Sequence, residues 1–538
     1  MAFKNPAWLE HAVFYQIYPQ SFYDSNGDGI GDVPGITAKL DYIEALGANA
    51  IWINPCFESP FADAGYDISN FYKVASRYGT ISDLKKLFKA AHKKGIRVIL
   101  DLVAGHTSIE HPWFKASCRH RQNKYSNWYI WSDWWTGFDE KSRMVHGYGQ
   151  RSGNYVTNFF YFQPALNYGY ANPDPAKPWQ LPIDHPDVLA VREELKKIMR
   201  YWLDMGCDGF RVDMASSLVK NDPDWKYTGQ FWKQVRSMLD KDYPEAILIA
   251  EWFYPQAAID AGFHIDFMAN GKDNQAKAYS SLFRMEKNRT LYNGGGNSFF
   301  DKNGQGDISV FMNRYIEHYQ ATRGRGYISL YSGNHDITRI SIGRTTDELE
   351  LIFAFLLTMP GVPFIYYGDE IAMKYKRLES KEGGYHRTGS RTPMQWSKEN
   401  NAGFSQGRTQ DLYLPVEKSA NNTNIAAQLS NCYSLLNRVR KLIDLRKAQI
   451  ALGADGKFEC VYCKKGAYPL VYCRAKNSST YLIVINPAGR DEEIRITNSF
   501  DAAFANMVAG RGVMVDFTKR QVLITASPVS YAIFKLSK

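Results

Sequence analysis

The stretch Cys207-Asp208-Gly209-Phe210-Arg211-Val212-Asp213-Met214-Ala215-Ser216 reads as a short apolar strand set between a glycine and a carboxylate. Strand side chains alternate with period two, so Arg211 and Asp213 share a face. A guanidinium close to a carboxylate keeps it ionised near neutral pH, which suits a nucleophile or a stabiliser of developing positive charge. The same two residues also suit a structural ion pair at a strand end, and the choice between these roles rests on what the other strand ends supply.

Outward from this strand, apolar strands alternate with amphipathic helices. Upstream, strands are expected at 13–18, 50–53 and 96–101, with helices at 36–46 and 83–94 that stop at Gly47 and Gly95. Downstream come a helix at 188–204, the strand at 209–213, a helix at 229–239 and a strand at 246–251. A weak strand at 264–267, a stronger one at 327–331, a helix at 348–359, a strand at 363–367 and a last long helix at 433–447 complete the series. Eight near-continuous apolar strands with intervening helices predict an α/β fold, a (β/α)8 TIM barrel. The alternation pauses over 107–185, a segment rich in aromatic residues (Trp113, Trp128, Trp131, Trp134, Trp135, Tyr155, Tyr161), which is expected to form an inserted subdomain after strand 3. Beyond 452 short alternating strands at 470–473, 481–485 and 521–524 follow without helices, the pattern of a C-terminal antiparallel β domain. The expected organisation is a barrel over 1–106 and 186–451, the insertion over 107–185 and the β domain over 452–538.

Hydrophobic residues make up 45% and aromatics 14% of the 538 residues, enough for a large core and for a groove lined by flat apolar faces. The formal charge is +10, but 65 basic and 55 acidic residues are interspersed, so no nucleic-acid partner is expected. Seven cysteines spread along the chain do not form a disulfide framework; Cys460 and Cys463 make a C-x-x-C with only Cys473 nearby and read as packed strand residues. The first residues carry no apolar signal core, and the longest apolar run, 351–359, falls short of the roughly 20 residues of a membrane span. A cytoplasmic protein without a membrane partner is expected.

Four strands end in ionisable groups: Asp101 with His106 beyond it, Asp213, Glu251, and Asn334-His335-Asp336. A parallel barrel brings all such ends to one rim. Paired carboxylates there, one ionised and one protonated, fit acetal hydrolysis, in which one attacks or stabilises an oxocarbenium-like centre and the other protonates the leaving oxygen. Asp213 beside Arg211 is the expected ionised member. Glu251, between Leu248-Ile249-Ala250 and Trp252-Phe253, has the apolar surroundings of an acid. Separately, the loop Asp24-Ser25-Asn26-Gly27-Asp28-Gly29-Ile30-Gly31-Asp32 places oxygen-bearing side chains at alternate positions. This suits a structural Ca²⁺ or Mg²⁺, with Asp24, Asn26, Asp28, Ile30 and Asp32 as candidate ligands, or an Asx-rich turn without metal. No organic cofactor is expected.

Six stretches in order resemble the motifs of the alpha-amylase family of glycoside hydrolases (family thirteen): Asp101-Leu102-Val103-Ala104-Gly105-His106, Gln163-Pro164-Ala165-Leu166-Asn167, Gly209-Phe210-Arg211-Val212-Asp213, Ala250-Glu251-Trp252, Ser332-Gly333-Asn334-His335-Asp336, and the run from Gly361 to Glu370. The resemblance, nearest to the oligo-1,6-glucosidase and alpha-glucosidase branch, implies Asp213 as nucleophile, Glu251 as acid and then base, and Asp336 as a third carboxylate on sugar hydroxyls. It implies retention at the anomeric carbon, with Asp213 and Glu251 about 5 to 5.5 Å apart. It further implies Tyr66 stacked under the sugar, His106, Arg211 and His335 hydrogen-bonded to it, and a single metal in the Asp24 loop. Asp63 and Arg391 resemble the pair that closes the pocket beyond the non-reducing glucose. Three positions depart from the pattern: Gly105 stands for an asparagine, Ala165 for an aspartate, and Met214 for the valine, alanine or threonine that follows the nucleophile in related glucosidases. The expected activity is release of glucose from the non-reducing ends of short α-gluco-oligosaccharides. A trehalose synthase or other glucosyl transferase, an endo-acting amylase and a non-catalytic relative stand as alternatives.

Overall fold

The computed structural model describes residues 3–132, 143–269, 276–283, 297–417, 423–500 and 502–537. Trp134 and Trp135 lie outside the described residues. Eight parallel strands form one sheet: β1 Phe14–Ile17, β2 Ala50–Ile53, β3 Arg97–Val103, β4 Gly209–Asp213, β5 Ile247–Ala250, β6 Ile265–Phe267, β7 Tyr327–Ser329 and β8 Phe364–Tyr366. Each pairs with its neighbour in sequence, and β1 pairs with β8. A parallel bridge from Tyr331 to Phe364 joins β7 to β8 and closes the barrel. The expected α/β barrel is therefore the observed one, with its strands one or two residues shorter at several ends than the apolar runs that signal them.

Between β4 and β5 a glycine sets the spacing. Gly209 has φ +136°, and a Cβ there would lie 2.2 Å from the Ile247 carbonyl oxygen. Only glycine combines that conformation with so close an approach. The barrel interior is plugged by aromatic rings: Phe14 stacks on Phe364 at 4.3 Å, Phe267 meets Phe364 edge-on at 4.9 Å, and Trp52 tilts against Phe267 at 5.7 Å. These rings form an apolar floor under the strand ends.

Helices cover the outside, among them Ile81–Lys93, Pro186–Asp204, Lys226–Asp242, Ile308–Thr322, Thr346–Thr358 and Leu435–Ala448. Capping boxes start two of them, Thr80 with Asp83 and Thr345 with Glu348. The helix expected over 36–46 is instead two short pieces, Val33–Ala38 and Leu40–Leu46. Asp32 caps the first piece through Gly35 N–H, and Lys39 leaves helical geometry between them.

After β3 the chain enters the insertion, whose Trp131–Ser132, Met144–His146 and Asn154–Val156 form a small antiparallel sheet. Bridges from His106 to Ala165 and from Thr157 to Pro164 bring it back over the barrel rim. The C-terminal strands, from Lys457–Tyr462 to the long Gln521–Ser537, pair antiparallel around that last strand. All seven cysteines are free; Cys460 lies in the first of these strands and Cys463 just beyond it. No helix among the described residues is long and apolar enough to cross a membrane.

The helix Thr346–Thr358 ends on an arginine. Arg446, buried on helix Leu435–Ala448, donates to the Leu357, Met359 and Gly361 carbonyls at 2.9, 3.0 and 2.6 Å. Helix-end carbonyls have no intrahelical partner and need one when buried. Arg446→Met is expected to lower the melting temperature, with a loss of about 3 kcal/mol in stability. A variant that melts with the wild type would show those carbonyls satisfied without Arg446.

Candidate active site

The strand register sets the first cluster. β3 and β4 pair Asp101 with Arg211 and Val103 with Asp213, while β4 and β5 pair Val212 with Ala250. One residue on, Glu251 stands level with Asp213, its N–H still donating to Val212 O at 3.1 Å. All four side chains thus gather at the C-terminal rim of the barrel. Arg211 Nη1 lies 2.9 Å from Asp101 Oδ1 and 3.0 Å from Asp213 Oδ1, and Nη2 lies 2.7 Å from Glu251 Oε1.

One guanidinium shared among three acids changes the expected ionisation. Burial and the neighbouring Glu251 carboxylate push Asp213 well above the usual carboxylate range, against the pull of Arg211. Burial likewise pushes Asp101 up to about 6, although Arg211, Tyr66 and Trp52 all donate to it. Both Glu251 oxygens accept hydrogen bonds, Oε1 from Arg211 and Oε2 from Met214 N–H at 2.9 Å. The direction for Asp213 runs against the sequence expectation of a carboxylate held ionised by Arg211. That expectation assigned Arg211 to Asp213 alone.

A second cluster surrounds His335 and Asp336. His335 Nδ1 faces the side-chain amides of Gln16 and Asn54, both at 3.1 Å, so it accepts. Its Nε2–H then points to Tyr66 OH at 2.8 Å, with Asp336 Oδ2 at 3.3 Å. Burial pushes His335 down to about 3 and keeps it neutral. Burial alone would raise Asp336, but the nearby cations, Arg387 and Arg391 among them, outweigh it and hold that carboxyl well below the usual range. Tyr66 is buried, its ring stacked on His335 at 5.4 Å and its hydroxyl between Asp101 and His335.

The expected Asp63–Arg391 pair is replaced by another. Arg391 Nε donates to His335 O at 2.8 Å and Nη2 lies 3.2 Å from Asp336 Oδ1. Ser21 Oγ donates to the Arg391 carbonyl and fixes that backbone, while the side chain is taken up by the His335 carbonyl and Asp336. Arg387, four residues earlier on the turn Tyr385–Ser390, takes that place: Nη2 is 3.3 Å from Asp63 Oδ1 and Nη1 2.7 Å from Asp336 Oδ1. Gln163 completes the link, donating to Asp63 Oδ2 at 2.9 Å. Phe160, whose N–H bonds Gln163 Oε1, reaches towards the exposed ring of Tyr385 at 6.5 Å, so insertion and barrel loop meet above Asp63.

His106 is buried beside Tyr66. Its Nε2 lies 3.1 Å from the Tyr66 carbonyl and its Nδ1 3.1 Å from Asn158 Nδ2, so both ring nitrogens are already partnered. Four further residues escaped the sequence reading as site residues: Arg387, Gln163, Asn158 and Asp266. The last accepts the backbone N–H of Trp252 and Tyr254 at 3.0 and 2.9 Å and braces the loop behind Glu251. Arg387 had a signal, since it shares one short turn with Arg391. Asn158 had only an indirect one, the missing side chain at Gly105.

In the 24–32 loop Asp24 accepts N–H donors from Asn26, Gly27 and Gly29, and Asp32 accepts from Gly35 and Ser25. Among the described residues no three His, Cys, Asp or Glu side chains converge as a metal site. The donor set is nevertheless of the kind a hard cation takes, mixing carboxylate and amide oxygens with the Ile30 carbonyl, the one atom of that residue able to bind.

Residues 16–455 match the family described as Alpha amylase, catalytic domain. The chain is 33% identical to the trehalose synthase/amylase TreS of Mycolicibacterium smegmatis, over 84% of this chain and 78% of that one. It is 31% identical to the oligo-1,6-glucosidase of Parageobacillus thermoglucosidasius, over 89% and 90%. A mutant isomaltulose synthase of Erwinia rhapontici, solved in complex with D-glucose, superposes with a TM-score of 0.80 at 25% identity, covering 99% of this chain and 100% of its own. With a closed eight-stranded barrel, three carboxylates on one arginine at its rim and a family match across most of its length, this chain belongs to the alpha-amylase family of glycoside hydrolases, family thirteen.

Proposed function

We propose that this enzyme hydrolyses α-glucosidic bonds of short α-gluco-oligosaccharides from the non-reducing end, with retention, through a covalent intermediate on Asp213. The observation that carries this reading is the contact of one guanidinium, Arg211, with Asp213 and Glu251 together. It brings two carboxylates within reach of one reacting centre, which a nucleophile and an acid must flank in double displacement. In the first step Asp213 attacks the anomeric carbon while Glu251 gives its proton to the leaving oxygen. In the second, Glu251 takes a proton from water, which attacks the same carbon and frees Asp213. The first step requires Asp213 as the anion and a proton available on the acid. Rotation of Glu251 from Arg211 towards a bound glycosidic oxygen would leave the guanidinium to Asp213 and favour its ionised form. Asp336, kept ionised by Arg387 and Arg391, is suited to accept hydrogen bonds from sugar hydroxyls.

The chain of contacts Gln163–Asp63–Arg387–Asp336 supports exo action, because it crosses the site and would stop a longer glucan. Glucose is expected from maltose, isomaltose or maltotriose, with soluble starch left intact; rapid loss of starch viscosity would contradict the exo reading. Asp213→Asn should lower kcat on the order of 10⁴-fold with the fold unchanged. Arg387→Ala should open the closed end, raise KM for the disaccharide about tenfold and admit longer chains, an effect read from the product distribution. A glucosyl transfer or isomerisation is the second reading, favoured by the TreS relative, and trehalose formed from maltose would establish it.

A structural calcium in the Asp24–Asp32 loop belongs to the same proposal, held by Asp24, Asn26, Asp28, the Ile30 carbonyl and Asp32. Bound there, it would neutralise the clustered carboxylates and fix the loop against Ser405. Chelator is expected to lower the melting temperature and added Ca²⁺ to restore it; identical melting curves would remove the metal from the account. The seven unpaired cysteines support a reducing, cytoplasmic setting.

A further inference from the structure

The side chain missing at Gly105 is replaced from another part of the chain. A Cβ built on Gly105 would lie 2.5 Å from Asn158 Nδ2, so the amide of Asn158 fills the space beside the end of β3. Asn158 comes from the insertion, where its N–H is fixed by the Gln163 carbonyl at 2.9 Å.

Its side chain meets four groups. Nδ2 lies 3.1 Å from His106 Nδ1, 3.1 Å from Ser217 Oγ and 3.8 Å from Met214 Sδ, while Oδ1 faces Lys220 Nζ at 3.4 Å. Lys220 can only donate, which settles the amide orientation and leaves Nδ2 as the donor to His106. His106 Nδ1 therefore accepts, and the hydrogen sits on Nε2, facing the Tyr66 carbonyl. Ser217 Oγ passes its own hydrogen to Met214 O at 2.8 Å. Met214 needs such support: it has φ +43°, a strained conformation for a side-chain-bearing residue, and its N–H holds Glu251 Oε2.

We propose that Asn158 is a positioning residue, which together with the Tyr66 carbonyl fixes the His106 tautomer and which clamps the Met214 turn between the nucleophile Asp213 and the acid Glu251. One amide thereby ties the insertion to the ends of β3 and β4. The proposal rests on the glycosidase reading for its kinetic consequence and on the hydrogen-bond geometry alone for its effect on His106.

The test uses Asn158→Ala, Gly105→Ala and the double variant of the full chain. A methyl at 105 displaces the Asn158 amide, so both single substitutions remove the same contacts. Each is expected to lower kcat/KM about tenfold, chiefly in kcat, and the double variant to be no worse than either. Losses that multiply in the double variant, or Asn158→Ala turnover within about twofold of wild type, would overturn the proposal. Imidazole ¹⁵N shifts give a readout independent of turnover and of whether Gly105→Ala folds. His106 should be a fixed Nε2–H tautomer in the wild type and a mixture in Asn158→Ala, and an unchanged tautomer in the variant would refute the positioning role. Wild-type protein that cleaves no α-glucoside would sink the glycosidase reading instead, and the tautomer measurement would still decide the assignment of Asn158.

Discussion

A buried guanidinium is costly unless carboxylates meet it with good geometry, and Arg211 meets three. Its position is the constraint from which the rest of the site follows. Asp101, Asp213 and Glu251 come from three adjacent strand ends, and only the parallel register of β3, β4 and β5 brings them within reach of one side chain. That register depends on Gly209, where any side chain would strike β5. The aromatic floor of Phe14, Trp52, Phe267 and Phe364 keeps water from below, so charges at the rim interact strongly and proton affinities respond to small movements.

The second cluster shows the complementary design. Asp336 faces Arg387 and Arg391 and lies low in proton affinity, whereas Asp213, competing with two other acids for one cation, lies high. Two aspartates of the same rim are thus separated by their cation supply. This separation suits one to stay an anion that orients substrate and the other to change its state during turnover.

Much of this was legible in the sequence because barrel strands and their terminal acids have short-range signals. The apolar runs ending in Asp101, Asp213 and Glu251 gave both fold and carboxylates, and period two placed Arg211 on the face of Asp213. What escaped depends on where chains meet. The Asp63 partner turned out to be Arg387, because the Arg391 side chain is engaged by the His335 carbonyl and Asp336, and no local pattern shows such partners. Asn158 reaches its site through a loop of the insertion, and only the blank at Gly105 hinted at it. The raised proton affinity of Asp213 required knowing that Arg211 also serves Asp101 and Glu251.

The central claim is that Asp213 carries the covalent intermediate. Incubation with 5-fluoro-α-D-glucosyl fluoride, followed by proteolysis and mass spectrometry of the intact peptides, tests it most directly, because the slow deglycosylation of such reagents leaves the intermediate in place. The account predicts one fluoroglucosyl group on the peptide that contains Asp213, lost in Asp213→Asn. A label on Glu251 or Asp336, or turnover of natural substrate with no label anywhere, would contradict it.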